Sequence, residues 1–199
     1  FELATKIKEM SGGFKSFYAL SGSDANEGAI KLAFAYNQKK GNDKRKVILS
    51  FDGSYHGSTY LTQSVGNTLF NEDPFYGVPK YNWSRILDRN DDITKVVDLE
   101  KVACIIVESQ TYAKKLKPYT IQFWKNLDII RIMYDIPIIV DDIFMGGGKL
   151  GKFFGWETTS FRPSIFTMGK AITGGHFPLS MTCYDSYIDE ALGEDFNWD

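Results

Sequence analysis

Four short stretches of this chain combine reactive side chains with backbone suited to present them. Asp141 and Asp142 close the apolar run 137–140. A carboxylate at the carboxyl end of a buried parallel strand faces the crevice where open α/β sheets bind ligands. Lys170 comes after the run 165–169 and leads into Ala171-Ile172-Thr173-Gly174-Gly175. Most lysines are solvated, but one flanked by apolar residues, ahead of a glycine pair that permits close approach, is a candidate for a desolvated amine. Ser21-Gly22-Ser23 stands between the apolar run 17–20 and a helix expected to begin near Ala25. Such a junction presents free N–H groups and a positive dipole end beside the hydroxyls. Its ordinary reading is a helix cap, with Ser23 capping and Asn26 or Glu27 closing a capping box; its chemical reading is an anion cup. Tyr55-His56-Gly57 comes after the run 47–51 and offers a flat ring near the same edge.

One cofactor uses all four features. Pyridoxal phosphate needs a lysine amine for its Schiff base and a carboxylate to keep its ring nitrogen protonated. It also needs a cup for its phosphate and commonly an aromatic face for its ring. The protonated ring is an electron sink, and the freed lysine then serves as the acid and base that shuttles the substrate's proton.

Competing chemistries have less material. Gly146, Gly148 and Gly151 match the dinucleotide fingerprint spacing, and Gly146 with Gly151-Lys152 matches most of a P-loop. Both motifs require a helix to open at once, so that the phosphate rests on its amino end. The next residues are Phe153-Phe154-Gly155-Trp156 and then Arg162-Pro163, which make no amphipathic helix. A glycine turn that lets backbone pack closely is the better reading. With only His56 and His176 and two separated cysteines, no metal site is expected.

The elements that must position these residues are written in the apolar period. The runs 17–20, 47–51, 103–107, 137–140, 165–168 and 179–183 are short and bounded by turn residues. Near-continuous apolar runs suit strands buried on both faces of a mostly parallel sheet. Helical stretches lie between them: 25–40, with Ala29, Ile30, Ala33 and Phe34 on one face, and 119–134, with Phe123, Leu127, Ile130 and Met133. Residues 1–10 read as an amphipathic helix, 70–95 as loops around a short strand at 78–83, and 185–192 as a helix start. The alternation predicts a three-layer α/β domain, a mostly parallel sheet flanked by crossover helices.

Composition agrees. The chain has 199 residues, 43% hydrophobic and 15% aromatic, with a net charge of −2. That is enough for one sizeable core in a single domain over 1–199, and far too aromatic for a disordered chain. The longest basic block is Lys44-Arg45-Lys46 beside Asp43, so no nucleic-acid face is expected. No run approaches the roughly 18 apolar residues of a membrane span. Cys104 and Cys183 lie in strand-like runs and read as buried reduced thiols. No signal-peptide pattern opens the chain, and a cytoplasmic location is expected.

Five ordered motifs resemble the large, cofactor-binding domain of class III aminotransferases, within the aspartate-aminotransferase-like fold type I. The family's phosphate-binding stretch is matched by Ser21-Gly22-Ser23-Asp24-Ala25-Asn26-Glu27 and Ala29-Ile30-Lys31-Leu32-Ala33, and its stacking motif by Tyr55-His56-Gly57. Val107-Glu108 resembles its Val-Glu-Pro strand end, with Ser109 for proline, and Asp141-Asp142-Ile143-Phe144-Met145-Gly146 resembles its Asp-Glu-Val-Gln-Thr-Gly motif. Residues 168–175, continuing through Pro178-Leu179-Ser180, match its Schiff-base motif.

The resemblance implies pyridoxal 5'-phosphate bound covalently to Lys170, with Asp141 on the ring nitrogen. It implies Gly22 and Ser23 as phosphate donors, Tyr55 as the stacking ring with His56 beside it, and Ile143 packing on the other face. It further implies a homodimer with the site at the subunit interface, and two-step transfer of an amino group from an amine or ω-amino acid donor to an oxo-acid acceptor. The pattern Gly174-Gly175-His176-Phe177-Pro178-Leu179-Ser180 is most similar to ornithine and diaminopelargonate-type members. Phe144 replaces a glutamine common in the family, and Lys149 stands where arginine is common. The family's amino-terminal segment and carboxyl-terminal small domain are expected to be absent from these residues. An aminomutase using the same lysine and aspartate, or a truncated domain that only binds cofactor or a partner subunit, are the alternative expectations.

Overall fold

A computed structural model of the chain describes residues 2–67, 83–111, 118–194 and 196. Among them, the six apolar runs become strands: β1 (Lys15–Ala19), β2 (Val47–Phe51), β4 (Val102–Glu108), β5 (Ile138–Asp141), β6 (Ile165–Met168) and β7 (Ser180–Tyr184), with β3 (Ser84–Leu87) as a seventh. The helices are α1 (Glu2–Met10), α2 (Gly22–Lys39), α3 (Tyr60–Val65), α4 (Ile93–Val96), α5 (Ile121–Met133) and α6 (Ser186–Leu192). Of the strand expected at 78–83, positions 78–82 lie outside the described residues; the strand that is described begins one residue later. The short helices α3 and α4 carry too few turns to leave an apolar period in the sequence.

The sheet order is β1-β7-β6-β5-β4-β2-β3. The pairs from β6 through β5, β4 and β2 to β3 are all parallel, and β7 runs antiparallel to both β6 and β1. Every residue of β4, β5 and β6 is buried. These central strands are covered on both faces, which is why their sequences do not alternate. On one face Val107, Val140, Phe166 and Met181 meet α5 and an aromatic group made of Phe14, Phe154, Trp156 and Phe161. On the other, Cys104, Ile106, Ile139 and Ile165 meet Ala29, Ile30 and Ala33 of α2 and Ile188 of α6.

The carboxyl ends of β4, β5 and β6 lie side by side, with Glu108 opposite Asp141 and Asp141 opposite Thr167. This register brings chemistry separated by dozens of residues to one edge. Behind β6, Phe166 is fully buried and packs edge-on against Phe14 and Phe154 at centroid distances of 5.0 and 5.1 Å. Phe166→Ala removes the ring on which that layer closes, and is expected to lower stability by about 3–5 kcal/mol. Urea unfolding measures it; a loss under about 1 kcal/mol would mean the layer closes without this ring.

Candidate active site

The site begins at the amino end of α2. Ser21 has an extended backbone and its Oγ accepts from Asp24 N at 3.2 Å, so the helix opens at Gly22 and Ser21 is its cap. This corrects the expectation that Ser23 caps a helix starting near Ala25. Ala25 N is the first to reach a carbonyl one turn back, that of Ser21. The N–H groups of Gly22 and Ser23 therefore have no intrahelical acceptor and point out of the positive helix end. Ser23 Oγ instead accepts from Ser58 N at 3.0 Å, tying the Tyr55-His56-Gly57 loop to the helix. Gly57 has φ +135°, and a Cβ there would come within 2.5 Å of Ser23 Oγ and Thr62 Oγ1, so this junction closes only around glycine.

One turn into α2, Asn26 is fully buried against the sheet. Its Nδ2 donates to Asp141 Oδ2 at 2.7 Å and to the His56 carbonyl at 2.8 Å, while its Oδ1 accepts from Thr167 Oγ1 at 2.7 Å. Asp141 Oδ2 also lies 2.9 Å from His56 Nδ1, and Oδ1 accepts from Ile143 N at 3.1 Å. Facing a carboxylate oxygen, Nδ1 is the donor of this pair. His56 is thus buried as Asp141's partner. Ile143 packs between the amino end of α2 and Gly169; a Cβ on Gly22 would approach it to 3.0 Å and one on Gly169 to 3.2 Å.

Asp142 turns to the opposite side of the strand. It is fully buried, accepts from Ser109 Oγ at 2.6 Å and from Gly155 N at 2.5 Å, and takes no place in the crevice. Burial pushes its carboxyl up from 3.8 to about 6 against the pull of those hydrogen bonds, with Asp141 adding to the rise.

Lys170 comes directly after Gly169 at the end of β6 and begins a short 3₁₀ turn, Lys170–Thr173. Its φ of 46° lies in the left-handed region, a conformation that costs a non-glycine residue of order 1–3 kcal/mol and that clusters at functional sites. Gly169 before it is extended and sits against Ser180. Lys170 is exposed as a residue, and its Nζ lies over the Phe144 ring, 4.7 Å from the centroid. Loss of hydration in the crevice lowers its pKa; Asp141 and Glu108 pull it back up, and Lys149 pushes it further down.

A cavity of about 580 Å³ gathers Gly22, Ser23, Tyr55, His56, Asp141, Ile143 and Lys170, the residues to which the family resemblance gives a cofactor role; Asp142, also a candidate in the sequence, is not among its lining. It adds Asn26, Glu108, Phe144 and, from the chain after Lys170, Thr173 and Phe177. Of these, Asn26 carries the clearest missed role, since the sequence marked it only as a capping-box member. The available signal is its spacing: four residues after Gly22 it shares the helix face that meets the sheet. The glycine run 146–151 forms turns with no α-helix after it, which removes the geometry a nucleotide-phosphate loop requires.

The donor set fits a flat, phosphate-bearing ring with a protonated nitrogen. Two free N–H groups stand at a helix end whose first residue has no side chain to fill the cup, and a carboxylate and an amine face the same space. Solved structures share this architecture. A Bacillus anthracis aminotransferase superposes with a TM-score of 0.87 at 25% identity, over 99% of this chain and 48% of its own. A PLP-bound amine transaminase from an uncultivated Pseudomonas species gives a TM-score of 0.86 at 23% identity, over 98% and 50%. The fold is therefore that of the transaminases.

Curated sequences narrow the class. The acetylornithine/succinyldiaminopimelate aminotransferase of Buchnera aphidicola (subsp. Acyrthosiphon pisum) is 33% identical over 178 residues, 89% of this chain and 43% of the relative. The adenosylmethionine-8-amino-7-oxononanoate aminotransferase of Aquifex aeolicus is 31% identical over 217 residues, 96% of this chain and 48% of the relative. The aminotransferase class-III pattern matches residues 1–195, and the chain belongs to that family. It spans less than half the length of these two relatives.

Asp142 generates a stability test. Its folded pKa is raised, so between the unfolded value near 3.8 and about 6 the folded state binds more protons than the unfolded one. Its contribution is full below that window and is lost as pH rises through about 6. In Asp142→Asn the amide serves the Gly155 N–H and the Ser109 hydroxyl without a charge. Urea unfolding at pH 4 and pH 7 should show the wild type losing about 2.4 kcal/mol relative to the variant, at about 1.4 kcal/mol per unit. A constant difference across that range would remove the buried titration.

Proposed function

We propose that this protein is a pyridoxal-phosphate-dependent aminotransferase that moves an amino group from an amine or ω-amino acid donor to an oxo acid in two half-reactions. The observation that carries this reading is the convergence of Lys170, Asp141 and the open amino end of α2 on one crevice. Lys170, already short of hydration, is the amine to which the cofactor is bound, and the group that then holds and moves the proton at the substrate carbon. When bound, pyridoxal phosphate supplies the electron sink that makes that proton removable. Asp141 holds a proton at the ring nitrogen, with Asn26 and His56 fixing the carboxylate from behind. The Gly22 and Ser23 N–H groups would bind the phosphate, and Tyr55 and Ile143, which line the same cavity, would pack against the ring. The described chain acts as one cofactor-binding domain.

The functional unit proposed is a homodimer. Leu20, Tyr55 and Phe177 line the crevice and are 74%, 41% and 58% exposed. Exposed apolar side chains lining such a crevice are suited to burial by a second subunit, which also excludes water from the reacting atoms. A cytoplasmic setting is proposed on the two buried free thiols, Cys104 and Cys183, whose burial holds them protonated.

Three measurements test this. Adding pyridoxal phosphate should give a visible absorption band that shifts with an amine donor, and borohydride should fix the cofactor on the Lys170 peptide. Lys170→Ala should lose both; fixation on another lysine sinks the assignment. Asp141→Asn should still bind cofactor while turnover falls by several powers of ten, each tenfold being about 1.4 kcal/mol; near-normal turnover would remove its role. Sedimentation over a dilution series should show a dimer that dissociates with loss of activity, and a monomer that turns over when dilute would refute the shared site.

A further inference from the structure

Two cations sit against one aromatic ring at the crevice. Lys170 Nζ lies 4.7 Å and Lys149 Nζ 4.8 Å from the centroid of Phe144. Lys149 Nζ also donates to the Phe144 carbonyl, so this side chain is held by both ends of a single residue. Sharing one ring, the two ammonium groups are at most about 9.5 Å apart, within the screening length of about 10 Å at 0.1 M salt. Three charged groups face Lys170: Asp141 from the end of β5, Glu108 from the end of β4, and Lys149 from the turn after β5. Loss of hydration favours the neutral amine, the two carboxylates favour the ammonium, and Lys149 opposes the carboxylates. An ammonium has no lone pair with which to attack a carbonyl carbon.

We infer that Lys149 is a positioning residue for Lys170: its anchored charge offsets Asp141 and Glu108 and so adds to the availability of the Lys170 amine as a nucleophile. The purpose rests on the aminotransferase reading; the electrostatic coupling does not. It gives the departure at Phe144 a physical role, since this residue supplies the ring and the carbonyl that hold the second cation in place.

The coupling is read without cofactor. Competitive labelling of the purified protein with acetic anhydride across pH, with mass-spectrometric quantitation of the Lys170 peptide, gives the midpoint of that amine directly. Lys149→Met should raise the midpoint by about half a unit and Lys149→Glu by about one, while Lys149→Arg leaves it in place; the shifts should shrink near 1 M salt, where screening falls to about 3 Å. An unchanged midpoint in Lys149→Met, or an equal shift in Lys149→Arg, overturns the inference. Failure of the functional reading shows separately, as pyridoxal phosphate that borohydride does not fix on Lys170 in the wild type.

Discussion

The site depends on one buried hydrogen bond, from Asn26 Nδ2 to Asp141 Oδ2 at 2.7 Å. A carboxylate at the end of a fully buried strand is costly unless donors surround it. Here the donors come from α2, from the loop after β2 and from Asp141's own turn, so satisfying one charge fixes three segments relative to one another. The same amide holds the His56 carbonyl and accepts from Thr167 on β6. Through it, the anion cup at the amino end of α2 is set at a fixed distance from the carboxylate. A further hydrogen bond, Thr182 Oγ1 to the Ala25 carbonyl at 2.7 Å, pins the first turn of α2 to β7. The side of the sheet under α2 is thus apolar along the helix and polar beneath its first turn.

The lysine is positioned by different means, through its backbone. β6 ends at Met168, Gly169 stays extended against Ser180, and Lys170 enters the left-handed region before a 3₁₀ turn. Such a conformation persists only if its surroundings over-determine it. The aromatic layer behind Phe166 and the antiparallel pairing of β6 with β7 on the far side of the turn supply that constraint. The stability of the core and the placement of the reactive amine are therefore linked through β6.

Much of this was legible in the residues. The buried strands announce themselves as apolar runs because a parallel sheet covered on both faces leaves few polar positions, and the carboxylate and lysine stand at their ends. Two kinds of feature escaped. Helix onset moved by three residues because any of the hydroxyls in Ser21-Gly22-Ser23 suits a cap, and only backbone geometry selects Ser21. The pairwise roles of Asn26 and His56 were hidden because they depend on sheet register: Asp141 lies 115 residues from the first and 85 from the second. No local pattern records a contact of that span.

The adjacent pair Asp141-Asp142 shows why position in a strand outweighs residue type. Strand alternation sends one carboxylate into the crevice and the other beneath the loop at Gly155, where it organises backbone. The glycine run just beyond is then forced to do something specific. Gly147 and Gly148 take φ values of 78° and 93°, and the Gly147 N–H donates to the Phe153 carbonyl at 2.8 Å, so the chain reverses. Reversal returns Lys149 to the ring and carbonyl of Phe144, five residues back. A stretch whose composition invites a phosphate-loop reading is better understood as the turn that delivers a second cation to the edge of a site already holding two carboxylates and one amine.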